Sequence, residues 1–466
     1  MSRFDVAIVG AGPAGLFAAY ELVEHGLRGI ALIDAGKDVR KRYCPLLRAH
    51  TSRELGISCA GCRPCHILHG VGGAGLFSSG AINLHPLVGG DLAVLLKSYS
   101  RAEDMIKYFD SILTKFGAGE DSLRVPDLEL VKEWERKAAK AGAKLIAPPQ
   151  RRLGTEGSIR LTENLVSYLL NKGVKLLTDT YVVDLAASGG SFKLVTSSGS
   201  IEAGRVLLAP GRVGAAWFSE ISRKLGIHTI PGPLDVGVRL EVPDYVMEPL
   251  VSVIDDPKII LYTKTYDDKV RTFCVNPKGF VVAERYNGYV AVNGMSYRDI
   301  KSRNTNLALL VTVQLTDPLE DTIEYGRQIA MTATKLGGGR PLIQRLGDLV
   351  SGRRSTWPRI DRSSVEPTLK DVTPGDVGMA LPYRVVKDVV EAVERLDEVL
   401  PGLASPQNLV YAPEIKFYSV RAVVDDWMQT NVEGIFVAGD GAGLSRGING
   451  AAITGILAAR GILKTL

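Results

Sequence analysis

The sequence predicts an α/β protein whose dinucleotide-binding domain is split between the two ends of the chain, with an α+β domain inserted between the parts. Three observations predict this fold. A buried strand at residues 4–9 runs into a glycine-rich turn and a helix. Near the C-terminus, the apolar strand 434–438 ends on Gly439-Asp440 and precedes a second glycine-rich segment. Between them, at residues 215–404, short strands alternate with turns and two helical stretches.

The first glycine turn has the spacing of a phosphate-binding loop. Gly10 allows the tight turn out of the strand, and Gly12 lets the backbone approach a pyrophosphate. Gly15 lets the following helix pack closely on the strand. Pro13 and Ala14 begin that helix, whose free N–H groups and positive dipole end suit phosphates. The segment therefore predicts a Rossmann-like dinucleotide site.

An acidic residue and the C-terminal segment specify the nucleotide further. Asp34 ends a second strand over residues 29–33, where it would accept hydrogen bonds from ribose hydroxyls and disfavour a 2′-phosphate. The C-terminal segment resembles the flavin-binding segment of glutathione-reductase-type proteins. That resemblance implies that Asp440 binds a ribityl or ribose hydroxyl, and that Gly447 and Ile448 begin a helix aimed at the flavin. An NAD domain needs only the N-terminal segment, whereas a flavoprotein of the glutathione-reductase type needs both, so the sequence predicts FAD.

Two further segments agree with FAD. Residues 205–211 match the strand–Ala–x–Gly segment that crosses near the dinucleotide in the same superfamily, which implies a cofactor contact at Gly211. A glycine-dense loop at residues 70–80 contains Gly72, Gly73 and Ala74. Backbone N–H groups in such a loop can approach the flavin or its phosphates closely.

We predict three parts of the chain. Residues 1–214 form the first part of the FAD-binding domain, including a cysteine-rich loop at 44–65 and a helical insertion at 101–150. Residues 215–404 form the substrate or cap domain, and residues 405–466 complete the FAD-binding domain. A second G-x-G-x-x-G after a strand is absent from the sequence, so we expect no separate NAD(P)H domain.

Composition limits the classes of partner. The chain has 466 residues, is 45% hydrophobic and 23% charged, and carries a net charge of +5. The charge is mild and no basic run is interleaved with aromatics, so we expect no nucleic-acid partner. The densest basic cluster, Arg40-Lys41-Arg42, we interpret as a solvated turn.

No stretch reaches the roughly 18 apolar residues of a membrane span, and the first strand starts too early for a signal peptide. We therefore expect a reducing, cytoplasmic location.

Four of the five cysteines lie close together, at Cys44, Cys59, Cys62 and Cys65. The C-x2-C-x2-C run with a fourth, proline-adjacent cysteine is similar to a [4Fe–4S] ligand set, although its order is reversed from the usual run. Redox disulfide chemistry, a zinc site and inert thiols are the alternatives. A cluster beside the glycine loop would permit electron transfer to the flavin.

The chain resembles the family of uncharacterised FAD-dependent dehydrogenases over nearly its whole length. The resemblance depends on the cysteine run followed by Gly72-Gly73-Ala74-Gly75-x-Phe77-Ser78, and on the segments 233–239, 271–279, 292–294, 413–418 and 439–448. The family pattern continues Ser-Asp-Gly-Lys after the glycine loop, whereas this chain has Ser78-Ser79-Gly80-Ala81. The family implies FAD and redox chemistry but no agreed substrate.

Three alternating residues suggest catalytic groups. Glu414, Lys416 and Tyr418 share one face of a predicted strand, where an acid, a base and a phenol could orient a carboxylate or carbonyl over the flavin. The alternative is a surface salt bridge at a sheet edge. Arg446, inside the flavin segment, is expected to contact a phosphate or an anionic substrate.

The predicted function is that of an FAD-dependent oxidoreductase acting on a small organic substrate. NAD(P)H or a ferredoxin-like protein is the expected electron partner. The alternative is an electron-transfer or redox-sensing flavoprotein that exchanges electrons with a protein partner through the cysteine cluster.

Overall fold

The structure is a computed structural model, and it describes residues 2–47, 57–313, 322–417 and 420–466. The helices in these residues are α1 Pro13–Glu24, α2 Leu92–Leu95, α3 Tyr99–Lys115, α4 Leu128–Lys140, α5 Gly154–Asn171, α6 Ala215–Leu225, α7 Asp244–Val251, α8 Thr322–Leu336, α9 Leu346–Val350, α10 Trp357–Ile360, α11 Tyr383–Asp397 and α12 Ile448–Thr465.

The strands in the same residues are β1 Ser2–Val9, β2 Ile30–Ile33, β3 Ala81–Asn83, β4 Leu123–Arg124, β5 Ala143–Ile146, β6 Gln150–Arg152, β7 Lys175–Leu177, β8 Val182–Ser188, β9 Ser191–Thr196, β10 Gly199–Leu208, β11 Thr229–Pro231, β12 Leu234–Pro243, β13 Lys258–Tyr262, β14 Lys269–Asn276, β15 Phe280–Arg285, β16 Val290–Met295, β17 Asn304–Val313, β18 Leu342–Arg345, β19 Thr373–Pro374, β20 Leu409–Phe417, β21 Val420–Ala422 and β22 Ile435–Val437.

The first sheet joins both ends of the chain. Strands β7, β2, β1 and β10 lie side by side and parallel, and β22 pairs in parallel with β10. Strands β10, β9 and β8 form an antiparallel meander. All four residues of β2 are buried, as expected for a parallel strand covered on both faces. The predicted α/β fold with a dinucleotide-type parallel sheet is confirmed.

Helices α1 and α12 bring the two glycine segments together. A Cβ atom placed on Gly455 of α12 would lie 2.1 Å from the carbonyl oxygen of Ala14 in α1, so only glycine permits this contact. Thirteen residues of α12 are buried, which shows that the helix lies within the core of the first domain. Its N-terminus consequently starts near the loop that precedes α1.

The second sheet has eight strands in the order β19-β18-β20-β12-β17-β14-β13-β5. The membership of two strands differs from the sequence-based parts. Strand β20 belongs to this sheet rather than to the C-terminal part 405–466, because it pairs antiparallel with β12 and β18. Strand β5, placed in the helical insertion 101–150, pairs with β13 and forms the edge of the same sheet.

Strand β12 has one apolar and one polar face, and both are buried. Its alternate residues Leu234, Val236, Val238, Leu240 and Val242 belong to the core shared with helices α7, α8 and α11. The residues between them include Asp235, Arg239 and Glu241, each fully buried. Buried charges persist only when they are paired or hydrogen-bonded. This polar face is the side of the sheet that leads to the site described next.

None of the helices within the described ranges is both long enough and apolar enough to cross a membrane.

Candidate functional site

An open cleft with about 1640 Å³ of empty space is lined by loops of the first domain and by β13 and β14 of the second sheet. Ten of the residues predicted to bind the cofactor line it: Gly12, Pro13, Ala14, Gly73, Ala74, Gly211, Gly439, Asp440, Gly447 and Ile448. The structure thus brings together segments from both ends of the chain. The other four predicted residues, Gly10, Gly15, Asp34 and Gly72, are not part of the lining.

Gly10 and Gly15 do not line the cleft, but they allow the first glycine loop to pack closely against its neighbours. Gly10 has a φ of +106°, and a Cβ atom there would lie 2.0 Å from the carbonyl oxygen of Ala209. A Cβ atom on Gly15 would lie 1.9 Å from the carbonyl oxygen of Gly10. The roles predicted from the spacing, a tight turn and close helix packing, agree with this geometry. Gly72 supports the same loop, because its N–H donates to the carbonyl oxygen of Ala11 at 2.8 Å.

The Asp34 carboxylate accepts hydrogen bonds from backbone N–H groups at and near the first glycine loop. Its Oδ2 accepts from the Ala11 N–H at 2.9 Å, and its Oδ1 accepts from the Gly36 N–H at 2.8 Å. Each carboxylate oxygen can accept more than one hydrogen bond. Asp34 therefore fixes the glycine loop, and contact with a ribose stays a prediction.

Arg42 is not part of a solvated turn, and this corrects the interpretation of the basic cluster. Its side chain is buried, whereas Arg40 and Lys41 are exposed. The guanidinium donates to five backbone carbonyl oxygens, those of His66, Ile67, Gly70, Val71 and Gly73. Burial lowers its pKa to about 10. Arg42 therefore stabilises the conformation of the second glycine loop. The run of three basic residues in the sequence did not indicate this role.

The C-terminal segment contributes a buried carboxyl and a helix start. Asp440 accepts hydrogen bonds from the Ser445 hydroxyl and from the Gly447 N–H. Burial raises the pKa of Asp440, and those two hydrogen bonds and the charge of Arg212 oppose the rise. Helix α12 begins at Ile448 in the wall of the cleft, so its first N–H groups and positive dipole end face that space.

Arg212 is a lining residue that the sequence analysis missed, although it directly follows the predicted Gly211. Its Nη2 atom donates to Glu284 Oε1, and Glu284 is 1% exposed. Burial lowers the pKa of Arg212, but the negative charge of Glu284 outweighs it and the net pKa is raised. Arg212 thus stays cationic beside Asp440. Its position right after the strand–Ala–x–Gly turn is the signal that could have identified it.

The second sheet supplies a cationic wall. Lys258, Lys269 and Arg271 line the cleft together with Phe273 and Cys274. The ring centroid of Phe273 lies 4.7 Å from the Arg271 guanidinium carbon and 5.5 Å from Lys258 Nζ. The register of β14 shifts between residues 273 and 276, and such bulges re-aim side chains. The wall therefore presents an aromatic ring flanked by positive charges.

Glu414 and Lys416 share one strand face, as predicted, but neither lines the cleft. Glu414 is fully buried and forms a bidentate ion pair with Arg239. Arg239 Nε donates to Glu414 Oε2 at 2.7 Å, and Arg239 Nη2 donates to Glu414 Oε1 at 2.8 Å. Lys416 Nζ lies 2.9 Å from Glu414 Oε1 and 5.6 Å from the centroid of the Phe273 ring. This pair lies inside the molecule, not at a sheet edge. Tyr418 lies outside the described residues, and catalysis by the three stays a prediction.

The four clustered cysteines do not form a metal centre in the geometry of the described residues. Cys44, Cys59, Cys62 and Cys65 are free thiols. Over the described ranges, no three His, Cys, Asp or Glu side chains are placed to hold a metal ion. Burial raises the pKa of Cys44 to about 11 and also raises that of Cys65, so both are protonated at neutral pH. None of the four lines the cleft.

Comparisons with known proteins agree with this geometry. Residues 5–42 match a family model described as an FAD binding domain, and residues 234–416 match one described as FAD-dependent protein, C-terminal domain-like. An uncharacterized protein of Clostridium beijerinckii is 28% identical over 487 residues, covering 98% of this chain and 80% of that protein.

Two solved structures are also similar. Glycine oxidase from Geobacillus kaustophilus has 13% identity and a TM-score of 0.43, covering 100% of this chain and 95% of that chain. L-proline dehydrogenase from P. horikoshii has 11% identity and a TM-score of 0.43, covering 100% and 94%. Both scores are below 0.5, so these likenesses are too weak to transfer any property.

The two family matches support an FAD-dependent protein with an α/β FAD-binding fold. The first family match covers the strand–turn–helix unit with Gly10, Gly12 and Gly15. The second covers most of the second sheet and ends at Lys416, inside β20.

Proposed function

We propose that the protein transfers electrons between FAD and a small organic molecule, with both held in the cleft. FAD, when bound, supplies the two-electron chemistry. A substrate oxidised in this way loses two electrons with a hydrogen from a C–H bond and releases one proton. When the substrate is oxidised, NAD(P)+ or an oxidised ferredoxin-like protein accepts the two electrons; in the reverse direction NAD(P)H or the reduced ferredoxin-like protein supplies them. The observation that carries the proposal is that glycine loops from both chain ends and the cationic wall line one cleft.

The residues of the first domain suit the cofactor. Gly12, Pro13 and Ala14 offer the start of α1, and the backbone at Gly73 and Ala74 faces them across the cleft. Helix starts bind phosphates through free N–H groups. Asp440, Gly447 and Ile448 lie at the start of α12, which suits a flavin that gains negative charge. The parallel order of β7, β2, β1 and β10 supports a site of the glutathione-reductase type.

Cofactor content tests the proposal first. The purified protein is expected to show flavin absorption bands and about one FAD per chain. Gly12→Val adds branched carbons beside Gly73, whose Cα would lie 3.6 Å from the new Cβ, at the cleft surface. We expect this variant to melt near the wild-type temperature but to lose FAD. Ala187→Val, on an exposed position of β8, is the control and should keep FAD. Wild-type protein that binds no added FAD would refute the proposal.

The electron donor is tested next. Bound FAD is mixed anaerobically with NADH, NADPH, a pool of small organic metabolites or a reduced ferredoxin, and bleaching of the flavin band is followed. Rapid bleaching by a small molecule supports the enzyme. Bleaching by ferredoxin alone supports the electron-transfer alternative.

A second candidate function uses the cysteine loop for electron exchange with a protein partner. Two N–H groups of Arg285 favour it, because its Nε donates to Cys59 Sγ at 3.4 Å and its backbone N–H donates to the Cys65 thiol. Hydrogen bonds to cysteine sulfur are one of the means by which proteins tune an iron–sulfur cluster. Anaerobic purification with iron and sulfide assays tests it: about four irons per chain, lost in Cys62→Ser, would support a [4Fe–4S] cluster. No iron would remove this candidate.

A further inference from the structure

Strands β5 and β13 of the second sheet present two isoleucines to the cleft. Ile146 of β5 lies opposite Lys258 of β13 in the antiparallel register, and Ile260 comes two residues after Lys258. Directly opposed residues, and alternate residues of one strand, share a face of the sheet. Ile146 and Ile260 therefore lie on the same face, and both line the cleft.

This face is not the one that packs on the core. The residues that alternate with the two isoleucines, Leu145, Ile259 and Leu261, are buried in the core of the second sheet. Ile146 and Ile260 are only half-buried. When one face of an antiparallel sheet packs on the core, the other face is commonly polar. Two isoleucines on the open face leave apolar surface in the cleft, and such surface is typical of a ligand-binding groove.

The cations beside the isoleucines already have carboxylate partners. Lys258 pairs with Asp256, and Arg271 pairs with Asp235 at 2.6 Å. Both cations neighbour the isoleucines in the strand register. Their charges are therefore matched within the protein. What this part of the wall offers to a ligand is hydrocarbon surface, whose removal from water is favourable.

The cofactor segments and the isoleucines belong to different walls of the cleft. The glycine segments that suit FAD come from the first domain, whereas Ile146 and Ile260 come from the second sheet. Leu87, in the loop after β3, lines the same cleft and is 51% exposed, which adds to the apolar surface. A molecule held between the walls would contact the cofactor on one side and the isoleucines on the other.

We propose that the substrate of this protein carries an aliphatic hydrocarbon part, which packs on Ile146 and Ile260 while the reacting carbon faces FAD. The inference rests on the proposed function, because it gives the substrate class of the same site. Each methylene that such a ligand buries against the isoleucines strengthens binding. A small polar metabolite would leave the same apolar surface in contact with water.

Chain length tests the inference on the FAD-loaded wild-type protein. Butan-1-ol, hexan-1-ol and octan-1-ol are the probes, and ligand-observed NMR titration measures the dissociation constant of each. We expect the dissociation constant to fall about two- to fourfold per added methylene. Hexane-1,6-diol, which ends in a second hydroxyl, is expected to bind more weakly than hexan-1-ol. Absent binding of octan-1-ol, or dissociation constants that do not change with chain length, would overturn the proposal.

Two variants locate the hydrocarbon. Ile146→Thr and Ile260→Thr each replace apolar surface with a hydroxyl and keep a β-branched side chain, which suits a strand. Each is expected to weaken octan-1-ol binding about threefold or more, with FAD content unchanged. Val183→Thr makes a similar exchange at a position of β8 that is 60% exposed, and it should bind octan-1-ol like the wild type. Unchanged affinity in both isoleucine variants would mean that the hydrocarbon binds elsewhere, and the proposal would fail.

The outcomes separate this inference from the proposed function. If the wild type holds no FAD, the proposed function fails. If FAD is bound but alcohol binding does not depend on chain length, only the hydrocarbon subsite fails. If the isoleucine variants fold but lose FAD, the two side chains contact the cofactor and the subsite is likewise refuted. If a variant does not fold, the chain-length series on the wild type still decides.

Discussion

Arg42 Nη1 donates to the carbonyl oxygen of Gly73 at 2.9 Å, and this contact ties the second glycine loop to a buried cation. The Cα of Gly73 lies 3.6 Å from the Cβ position of Gly12. The guanidinium is bound by neutral carbonyl groups and by no carboxylate among the described contacts. The negative charge of Asp34 raises the pKa of Arg42 against the effect of burial, so that carboxylate helps to keep the guanidinium cationic.

Replacing Arg42 should weaken cofactor binding. Arg42→Met removes the donor of the carbonyl oxygens of His66, Ile67 and Val71, whereas those of Gly70 and Gly73 still accept from backbone N–H groups. Each buried unsatisfied group costs about 1–3 kcal/mol. We expect the second glycine loop to lose its shape and FAD affinity to fall at least about tenfold. Fluorescence titration of apoprotein with FAD measures this. Arg40→Met, on a side chain that is 67% exposed, is the matched control and should bind FAD normally. Arg42→Met protein with unchanged affinity would show that the loop keeps its shape without the guanidinium.

The crowding at Gly10 predicts a difference between two glycine substitutions. Gly10 and Gly26 both have positive φ, +106° and +83°, but no atom lies within 4 Å of a Cβ on Gly26. Gly26→Ala therefore costs only backbone strain, about 1–2 kcal/mol. Gly10→Ala adds a clash with the Ala209 carbonyl and should be markedly less stable, or fail to fold. Urea unfolding of both variants measures the difference. Equal stabilities would mean that β1 and β10 can move apart without cost.

The buried pair of Glu414 and Arg239 predicts a stability effect. Glu414→Gln removes the charge that Arg239 and Lys416 share, which leaves two buried cations without their carboxylate. Breaking a buried pair from one side costs about 3–5 kcal/mol. Glu248→Gln is the control, because Glu248 is 61% exposed and its ion-pair distance to Lys278 is 3.9 Å. We expect chemical denaturation to show a large loss only for Glu414→Gln. A fully stable Glu414→Gln protein that has lost turnover would instead support the predicted catalytic role.

The glycine segments could be predicted from sequence because each is a local backbone requirement. Gly10 and Gly15 occupy positions where a Cβ atom meets a carbonyl oxygen, so their spacing reports the turn directly. The sheet to which β20 belongs could not be predicted from such a local requirement. Its sheet is decided by pairing with β12, for example Gly237 opposite Glu414, and alternation within one strand does not specify its partner.

The burial of individual charged side chains also could not be predicted from the sequence. Arg42 belongs to a basic run, and its burial depends on the loop of residues 66–73 that wraps around it. The cationic wall likewise lines the same cleft as the glycine loops only because the second sheet packs beside the first domain. Such sites depend on contacts between distant segments, whereas composition and periodicity report on neighbours in the chain.

A carboxyl pair that does not line the cleft predicts a pH dependence of stability. Asp388 on α11 accepts from the Thr263 hydroxyl at 2.7 Å and shares a hydrogen bond with Asp268. Burial, with the adjacent charge of Asp268, raises the pKa of Asp388 to about 6, from 3.8 in an unperturbed chain. The folded state therefore holds this proton more tightly than the unfolded state. Its stabilising contribution is fully present below about pH 4 and is lost as the pH rises through about 6.

Asp388→Asn should remove this pH dependence, because the amide keeps a donor for Asp268 and does not titrate. Urea unfolding at pH 4.5, 5.5 and 6.5 measures the free energy of unfolding of variant and wild type. We expect the variant to gain on the wild type from pH 4.5 to 6.5, since only the wild type loses a bound proton over that range. Glu394→Gln removes a charge at an exposed position of the same helix, and its difference from the wild type should not change with pH. A constant difference for Asp388→Asn as well would mean that Asp388 is already ionised at pH 4.5 in the folded protein.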